Sequence, residues 1–277
     1  MRIELDGLTA LVTGSTQGIG FAIARGLAAA GARVIVNGRS VESTTAARAR
    51  LLDELSGEAD FAALDRDVQE ARVVTLAADL ATEAGARQAL FQHPDVDVLV
   101  NNLGVFGSAD PLSIDDDEWR RYFETNVLSA VRLTRAYLPG MMARGWGRVQ
   151  CIASDSAVVT PVEMIHYGVS KTALLGVSRG FAKAAAGTGV TVNSVIAGPT
   201  HTGGVEEFVR ELVGHDLPWD EAQREFMRKH RPQSLIQRLI EPDEIANMVV
   251  YLSSRLASAT TGGALRVDGG YVDAILP

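Results

Sequence analysis

Cysteine is almost missing from this sequence: Cys151 stands alone in 277 residues. An intramolecular disulfide is therefore impossible, and a cysteine-rich metal site is excluded. Dense runs of lysine and arginine are missing too, and the net charge is −8 with a pI near 5.2. That balance excludes the footprint of a nucleic-acid or anionic-membrane binder. No apolar stretch reaches the roughly 20 residues of a membrane span. The opening MRIELDGLTALVTGS carries acidic residues where a signal peptide needs a basic and then an apolar segment. A soluble, cytoplasmic protein is expected. Repeats, low-complexity tracts and Pro/Gly/Ser-rich linkers are also lacking, so one domain is expected rather than two.

What is present is an ordinary globular composition, 47% hydrophobic and 22% charged, long enough to bury a full core. Strand-length apolar runs alternate with longer stretches of helical period. Strands are expected at 9–14, 33–38, 72–80, 96–102, 148–154, 190–198 and 264–270. Helices are expected at 18–31, 41–56, 83–92, 117–144, 164–186 and 242–254. Several strand runs are continuously β-branched, as in strands covered on both faces. The fold class that follows is α/β: a parallel, seven-stranded sheet with helices on both sides. Residues 57–71 read as a polar insertion, and 203–235 interrupt the rhythm between the sixth and seventh strands. That second segment, helical in pattern and broken by Pro218 and Pro232, is a candidate substrate lid.

TGSTQGIG, at 13–20, ends the first strand and opens the first helix. Gly14, Gly18 and Gly20 can supply a tight turn, a close backbone approach and close helix–sheet packing. The helix N-terminus then offers free N–H groups and partial positive charge to a pyrophosphate. Ser15, Thr16, Gln17 and Ile19 complete this candidate dinucleotide turn. A carboxylate for the ribose 2′-hydroxyl belongs about 20 residues further on. Gly38 stands there instead, followed by Arg39, whose guanidinium suits a phosphate. NADP(H) is favoured over NAD(H), which stays possible, and Thr16 could add a hydroxyl to the 2′-phosphate.

TGSTQGIG, NNLG at 101–104, Ser154, YGVSK at 167–171 and a late VDGG occur in one order over Leu8 to Tyr271. In this the chain resembles the short-chain dehydrogenase/reductase family. The resemblance implies a Rossmann-type, doubly wound fold and NAD(P)-dependent chemistry on alcohols and carbonyls, in a homotetramer or homodimer. It implies a catalytic set of Ser154, Tyr167, Lys171 and Asn126. It also implies cofactor contacts at Asp79, Leu80, Asn101, Gly104, Tyr167, Lys171, Gly198, Thr200 and Thr202. Two positions depart from the family's pattern. Leu103 replaces a small residue beside the cofactor, and the loop after the sixth strand reads Ala197-Gly198-Pro199 where Pro-Gly is usual.

A free tyrosine titrates near pH 10 and is a poor base at neutral pH. The i, i+4 spacing puts Tyr167 and Lys171 on one helix face, where the ammonium would lower the phenol's pKa. Tyr167 would serve as general acid in carbonyl reduction and general base in alcohol oxidation. Lys171 would also hydrogen-bond the nicotinamide ribose. Ser154 would hydrogen-bond the substrate oxygen, and Asn126 would hold a water linking Lys171 to solvent. No metal is required. His166 is expected to line the substrate mouth or a subunit contact, and His201 and His215 have no ligand-like partners.

The helix beginning at Tyr167 is small and apolar around most of its circumference, so one side should meet the sheet and another a partner subunit. REFMRKHR, at 224–231, reads as a solvated basic face that could attract an anionic substrate or an acyl carrier protein. Reductases of 3-oxoacyl carrier proteins in the family dock their carrier with basic residues; Arg132 matches one such position, and Thr188 stands at the other. The expected activity is ketone–alcohol interconversion on a small molecule. A 3-oxoacyl-carrier-protein reductase-like enzyme, or a silent NADP(H) sensor or scaffold, is the alternative.

Overall fold

Each β-branched run of the sequence becomes a strand of one parallel sheet. The computed structural model describes residues 3–275. The strands are β1 (Thr9–Val12), β2 (Arg33–Gly38), β3 (Val73–Ala77), β4 (Val98–Asn101), β5 (Gly147–Ser154), β6 (Val190–Ala197) and β7 (Ala264–Val267). They lie in the order β3-β2-β1-β4-β5-β6-β7, and all pair in parallel. In β1, Leu11 faces Ile35 of β2 on one side and Leu99 of β4 on the other. The winding reverses between β1 and β4, which opens a crevice at the carboxyl ends of those strands.

Alternation of side chains along each strand feeds two cores. Ala10 and Val12 join one core with α1 (Gly18–Ala29), α2 (Val41–Leu55) and α11 (Pro242–Ser253). Leu11 joins the other with α5 (Glu83–Gln92), α7 (Ser129–Ala143) and the end of α8 (Ile165–Ala184). Burial of each such aliphatic side chain contributes about 1.5–3 kcal/mol. The sheet is thus sandwiched, a single domain of the Rossmann type. Cys151 sits inside it on β5, 1% exposed, with Asn101 Nδ2 at 3.9 Å from its sulfur.

Two stretches take forms the sequence did not specify, and a third, 203–235, is helical as expected. Residues 57–71 are mostly exposed, as a polar insertion should be, but they are helical: they form α3 (Ala59–Ala62) and most of α4 (Arg66–Arg72), with Phe61 buried. Arg48 ties this cover to the sheet edge through Val73 O at 2.7 Å and Glu70 O at 2.8 Å. The expected helix 117–144 is α6 (Asp116–Phe123), a π-turn at Glu124–Leu128, and α7. The wider turn is the adjustment that brings Asn126 inward, and periodicity cannot show it. Residues 203–235 supply α9 (Gly203–Val213) and α10 (Trp219–His230), packed around their own cluster of Phe208, Val209, Ala222, Phe226 and Met227.

Candidate active site

A cavity of about 400 Å³ opens at the carboxyl ends of β1, β4, β5 and β6. The turn after β1 forms its floor. Gly14 and Gly18 adopt φ of +60° and +58°, the left-handed region that favours glycine. A Cβ on Gly20 would lie 2.4 Å from Gly14 O and 2.5 Å from the Asn102 side-chain nitrogen. Helix α1 begins with no side-chain cap and no acid in its first turn. Its first N–H groups are therefore left for a ligand, at the positive end of the dipole. Gly14, Gln17, Gly18, Ile19 and Gly20 all line the cavity, and this cradle fits a pyrophosphate.

Ser15 is used differently. It is fully buried, donating to Val12 O at 2.7 Å and accepting from Asn37 N at 2.9 Å. Asn37, unremarked in the sequence, also accepts from Gly14 N and donates to Leu76 O and Ala78 O. It locks the glycine turn to β2 and β3. Thr16, Arg39, Asp79 and Leu80 lie beyond the cavity at the ends of β1 to β3. Thr16 packs on Gly38, where a Cβ would come within 2.6 Å of its methyl group. Arg39 is exposed and pairs with no carboxylate among the described residues. Asp79 is exposed, its carboxylate accepting from Ala81 N at 3.1 Å, while the Leu80 side chain is buried in the second core.

Asn101 is a correction. Its side chain turns away from the cavity to Thr134, at 3.2 Å, and Cys151. The cavity wall is the next residue, Asn102, which donates to Thr13 O at 2.9 Å and Gly14 O at 3.1 Å. Alternation along a strand explains the exchange: adjacent side chains point to opposite faces. Leu103 packs against the second core, behind Gly14. On the far wall Gly198, Thr200 and Thr202 line the cavity. Thr200 donates to Gly198 O, and Thr202 caps α9 through Val205 N with its methyl group against Gly18.

Ser154, Tyr167 and Lys171 meet in this cavity. Ser154, the last residue of β5, donates to Asp155 Oδ1 at 2.9 Å and accepts from Ser156 N at 3.1 Å. Tyr167 is half-buried, edge-on to Phe106 at 6.3 Å between ring centres. Lys171 is buried and donates to Ile152 O at 2.7 Å, its nitrogen 5.8 Å from the Tyr167 ring centre. Burial raises the Tyr167 pKa, opposed mainly by a hydrogen bond with Ser154. Burial also brings the Lys171 pKa down to about 8. The Ser154 hydrogen bond favours the phenolate.

Asn126, in the π-turn, is fully buried, and it flanks Gly104 together with Lys171 of α8. Its amide accepts from Val105 N at 2.8 Å and donates to Val105 O at 3.0 Å and Ser170 Oγ at 2.9 Å. Both amide hydrogens are engaged, so the side chain fixes the loop after β4 and has no donor left for a water. His166 is also misplaced by the sequence reading. It is buried against Tyr122, 4.0 Å between ring centres, away from the cavity. Arg132 is occupied by Glu124 and Ala81 O. His201 bonds Glu206 at 2.6 Å and stacks on Trp219.

Two residues of the cavity wall were missed. Asp155 and Arg231 are 4% and 7% exposed, and both line the cavity. Arg231 ends the basic run 224–231, whose Arg228 and Lys229 pair with Glu225 on the solvent side. The clue was the apolar pair Phe226 and Met227 within that run, both buried. Charge pattern alone hides which cation turns inward.

A family profile described as enoyl-(acyl carrier protein) reductase matches residues 14–272. The chain is 48% identical to the uncharacterized oxidoreductase YvaG of Bacillus subtilis (strain 168), over 99% of this chain and 100% of that protein. The chain belongs to the short-chain dehydrogenase/reductase family. Another member, the D-beta-hydroxybutyrate dehydrogenase of Cupriavidus necator, is 33% identical over 97% of this chain and 99% of its own. L-Sorbose reductase from Gluconobacter frateurii, solved with NADPH and L-sorbose, superposes with a TM-score of 0.87 at 31% identity, covering 99% and 100% of the two chains. As a short-chain dehydrogenase/reductase the chain is an oxidoreductase with an NAD(P)-binding Rossmann fold, acting between CH–OH and carbonyl groups. No helix among the described residues is long and apolar enough to cross a membrane.

Proposed function

We propose that the protein interconverts a ketone and a secondary alcohol with NADP(H), Tyr167 acting as general acid and base. The observation that carries this reading is the convergence of Ser154, Tyr167 and Lys171 on the cavity that the glycine cradle floors. NADP(H) bound there would supply or accept hydride at its nicotinamide. Gly14, Gln17, Gly18, Ile19 and Gly20 would hold the pyrophosphate, and Thr16 and Arg39 the 2′-phosphate. Asp79 and the Leu80 main chain would flank the adenine. Gly104, Lys171, Gly198, Thr200 and Thr202 would border the nicotinamide end. With its pKa raised, the Tyr167 phenol keeps its proton at neutral pH and can donate it to a carbonyl oxygen. Ser154 would hydrogen-bond the same oxygen.

Helices α9 and α10 act in this reading as the substrate lid, since Phe208, Phe226 and Arg231 reach the cavity from them or from their end. The working form is a homodimer or homotetramer. In support, the outer face of α8 is uncovered by the chain's own segments: a Cβ on Gly176 or Gly180 would meet nothing within 4 Å.

The test is turnover of a panel of ketones and alcohols, read by the absorbance of reduced nicotinamide. Tyr167→Phe should lower kcat about 10²–10⁴-fold with NADPH binding kept. A Tyr167→Phe enzyme as active as the parent sinks the mechanism. NADPH binding with no turnover of any substrate would favour the sensor instead.

A further inference from the structure

Phe106, in the loop after β4, lines the cavity together with Tyr167 and is 43% exposed. The two rings meet edge-on, 6.3 Å between centres and 61° between planes. Phe106 also meets Phe208 of α9 at 6.4 Å and 82°, and Phe208 meets Phe226 of α10 at 6.3 Å and 77°. A file of edge-to-face rings thus runs from the proposed reacting phenol to the lid, in the geometry that aromatic pairs prefer. Phe208 and Phe226 are enclosed, and Phe106 is the phenylalanine left open.

Gly204, in the first turn of α9, makes room for this ring. Its backbone is helical and has no positive φ, so the main chain does not call for glycine there. A Cβ at 204 would stand 3.3 Å from Phe106 Cζ, closer than an ordinary contact. The charged residues of the cavity offer a ligand little. Asp155 Oδ1 is taken by Ser154 Oγ and Ser156 N, at 2.9 and 2.7 Å, and Oδ2 is enclosed. Arg231 donates through Nη1 to His230 O at 2.7 Å, and its Nε is enclosed. Met164, Val205 and Phe208 line the same cavity as Phe106.

Apolar surface gains by leaving water, roughly in proportion to its area. A hydroxylated chain laid on Phe106 would lose its own water there and find no partner. A flat apolar group covers the ring and adds a member to the file. Phe106 is paired with the Tyr167 ring itself, so the group it meets is the one bonded to the reacting carbonyl and not a distant tail.

We propose that the substrate carries an aryl group on its reacting carbonyl carbon, and that this group lies on the open face of Phe106. The substrate class is aryl ketones in reduction and benzylic secondary alcohols in oxidation. Phe106 sets specificity and takes no part in proton transfer. The proposal rests on the carbonyl–alcohol reading above and names its substrate class.

The experiment compares kcat/KM with NADPH for acetophenone, acetone and L-sorbose. Acetophenone should win over both by on the order of a hundredfold, since a single methylene in an apolar pocket already gains about 10–200-fold. Phe106→Ala should lower kcat/KM for acetophenone about tenfold or more, chiefly through KM, and change that for acetone less than about threefold. Phe106→Leu, which keeps apolar bulk and loses the ring, should fall between, and it carries the test if the alanine variant does not fold. Equal kcat/KM for acetophenone and acetone overturns the proposal. So does L-sorbose preferred over acetophenone, or a variant that loses both ketones equally. If no carbonyl turns over, the functional reading fails by itself. Saturation-transfer NMR of acetophenone and L-sorbose with NADPH present then decides. An acetophenone signal lost in Phe106→Ala upholds the proposal; no signal, or one unchanged in the variant, overturns it.

Discussion

In the proposed reading, the guanidinium at position 39 sets which nucleotide the cleft favours. Arg39 is exposed at the end of β2, without a carboxylate partner, where a ribose-binding acid would otherwise stand. Charge-assisted hydrogen bonds to a phosphate contribute about 1.5–3 kcal/mol. Arg39→Ala should therefore raise the KM for NADPH about tenfold or more and leave NADH within about twofold. Equal losses for both cofactors would remove Arg39 from the 2′-phosphate site. Arg39 was legible because glycine turn, strand and spacing point at it. Ser154, Tyr167 and Lys171 were picked out through the family resemblance, and the structure brings all three to the cavity. Arg231 and Asp155 were not. Nothing in a basic run shows which of its cations is inward, and Asp155 beside a serine reads as a turn residue. Asn101 was misread because one residue along a strand reverses the face a side chain presents.

Elements carry a different kind of information. The sheet was readable from apolar runs, and so was the existence of helical segments between β6 and β7. The break in the helix 117–144 was not, because a π-turn changes no residue type. Helices α9 and α10 are packed around a cluster separate from both sheet cores, and Phe226 lies at its centre, 1% exposed. Removing a buried phenylalanine costs about 3–5 kcal/mol. Phe226→Ala should speed hydrogen exchange in amides of 203–230 and leave those of β4 to β6 unchanged. Equal acceleration in the sheet would show that the two helices belong to its cooperative unit.

On the scale of the whole molecule, Lys171, catalytic in the proposed reading, is also a load on the fold. Burial drops the Lys171 pKa from 10.5 to about 8. Between those values the unfolded chain binds more protons than the native one, so this residue makes stability rise with pH from about 8 to 10.5. Below the lower value the penalty of the buried charge is complete. Denaturant titrations at several alkaline pH values check this: Lys171→Met should be the more stable form near neutrality, and its advantage should shrink above pH 8. An advantage independent of pH would mean that Lys171 is not titrating in the native state over this range.

The lone thiol of Cys151 gives the molecule an internal clock. It sits in the middle strand of three, fully enclosed, and burial pushes its pKa up to about 12. Neither the thiolate nor a path for a reagent exists while β4, β5 and β6 stay paired. Alkylation of this single sulfur therefore counts openings of the central sheet one by one. A bound nucleotide that steadies the carboxyl ends of those strands would slow the count without touching the sulfur.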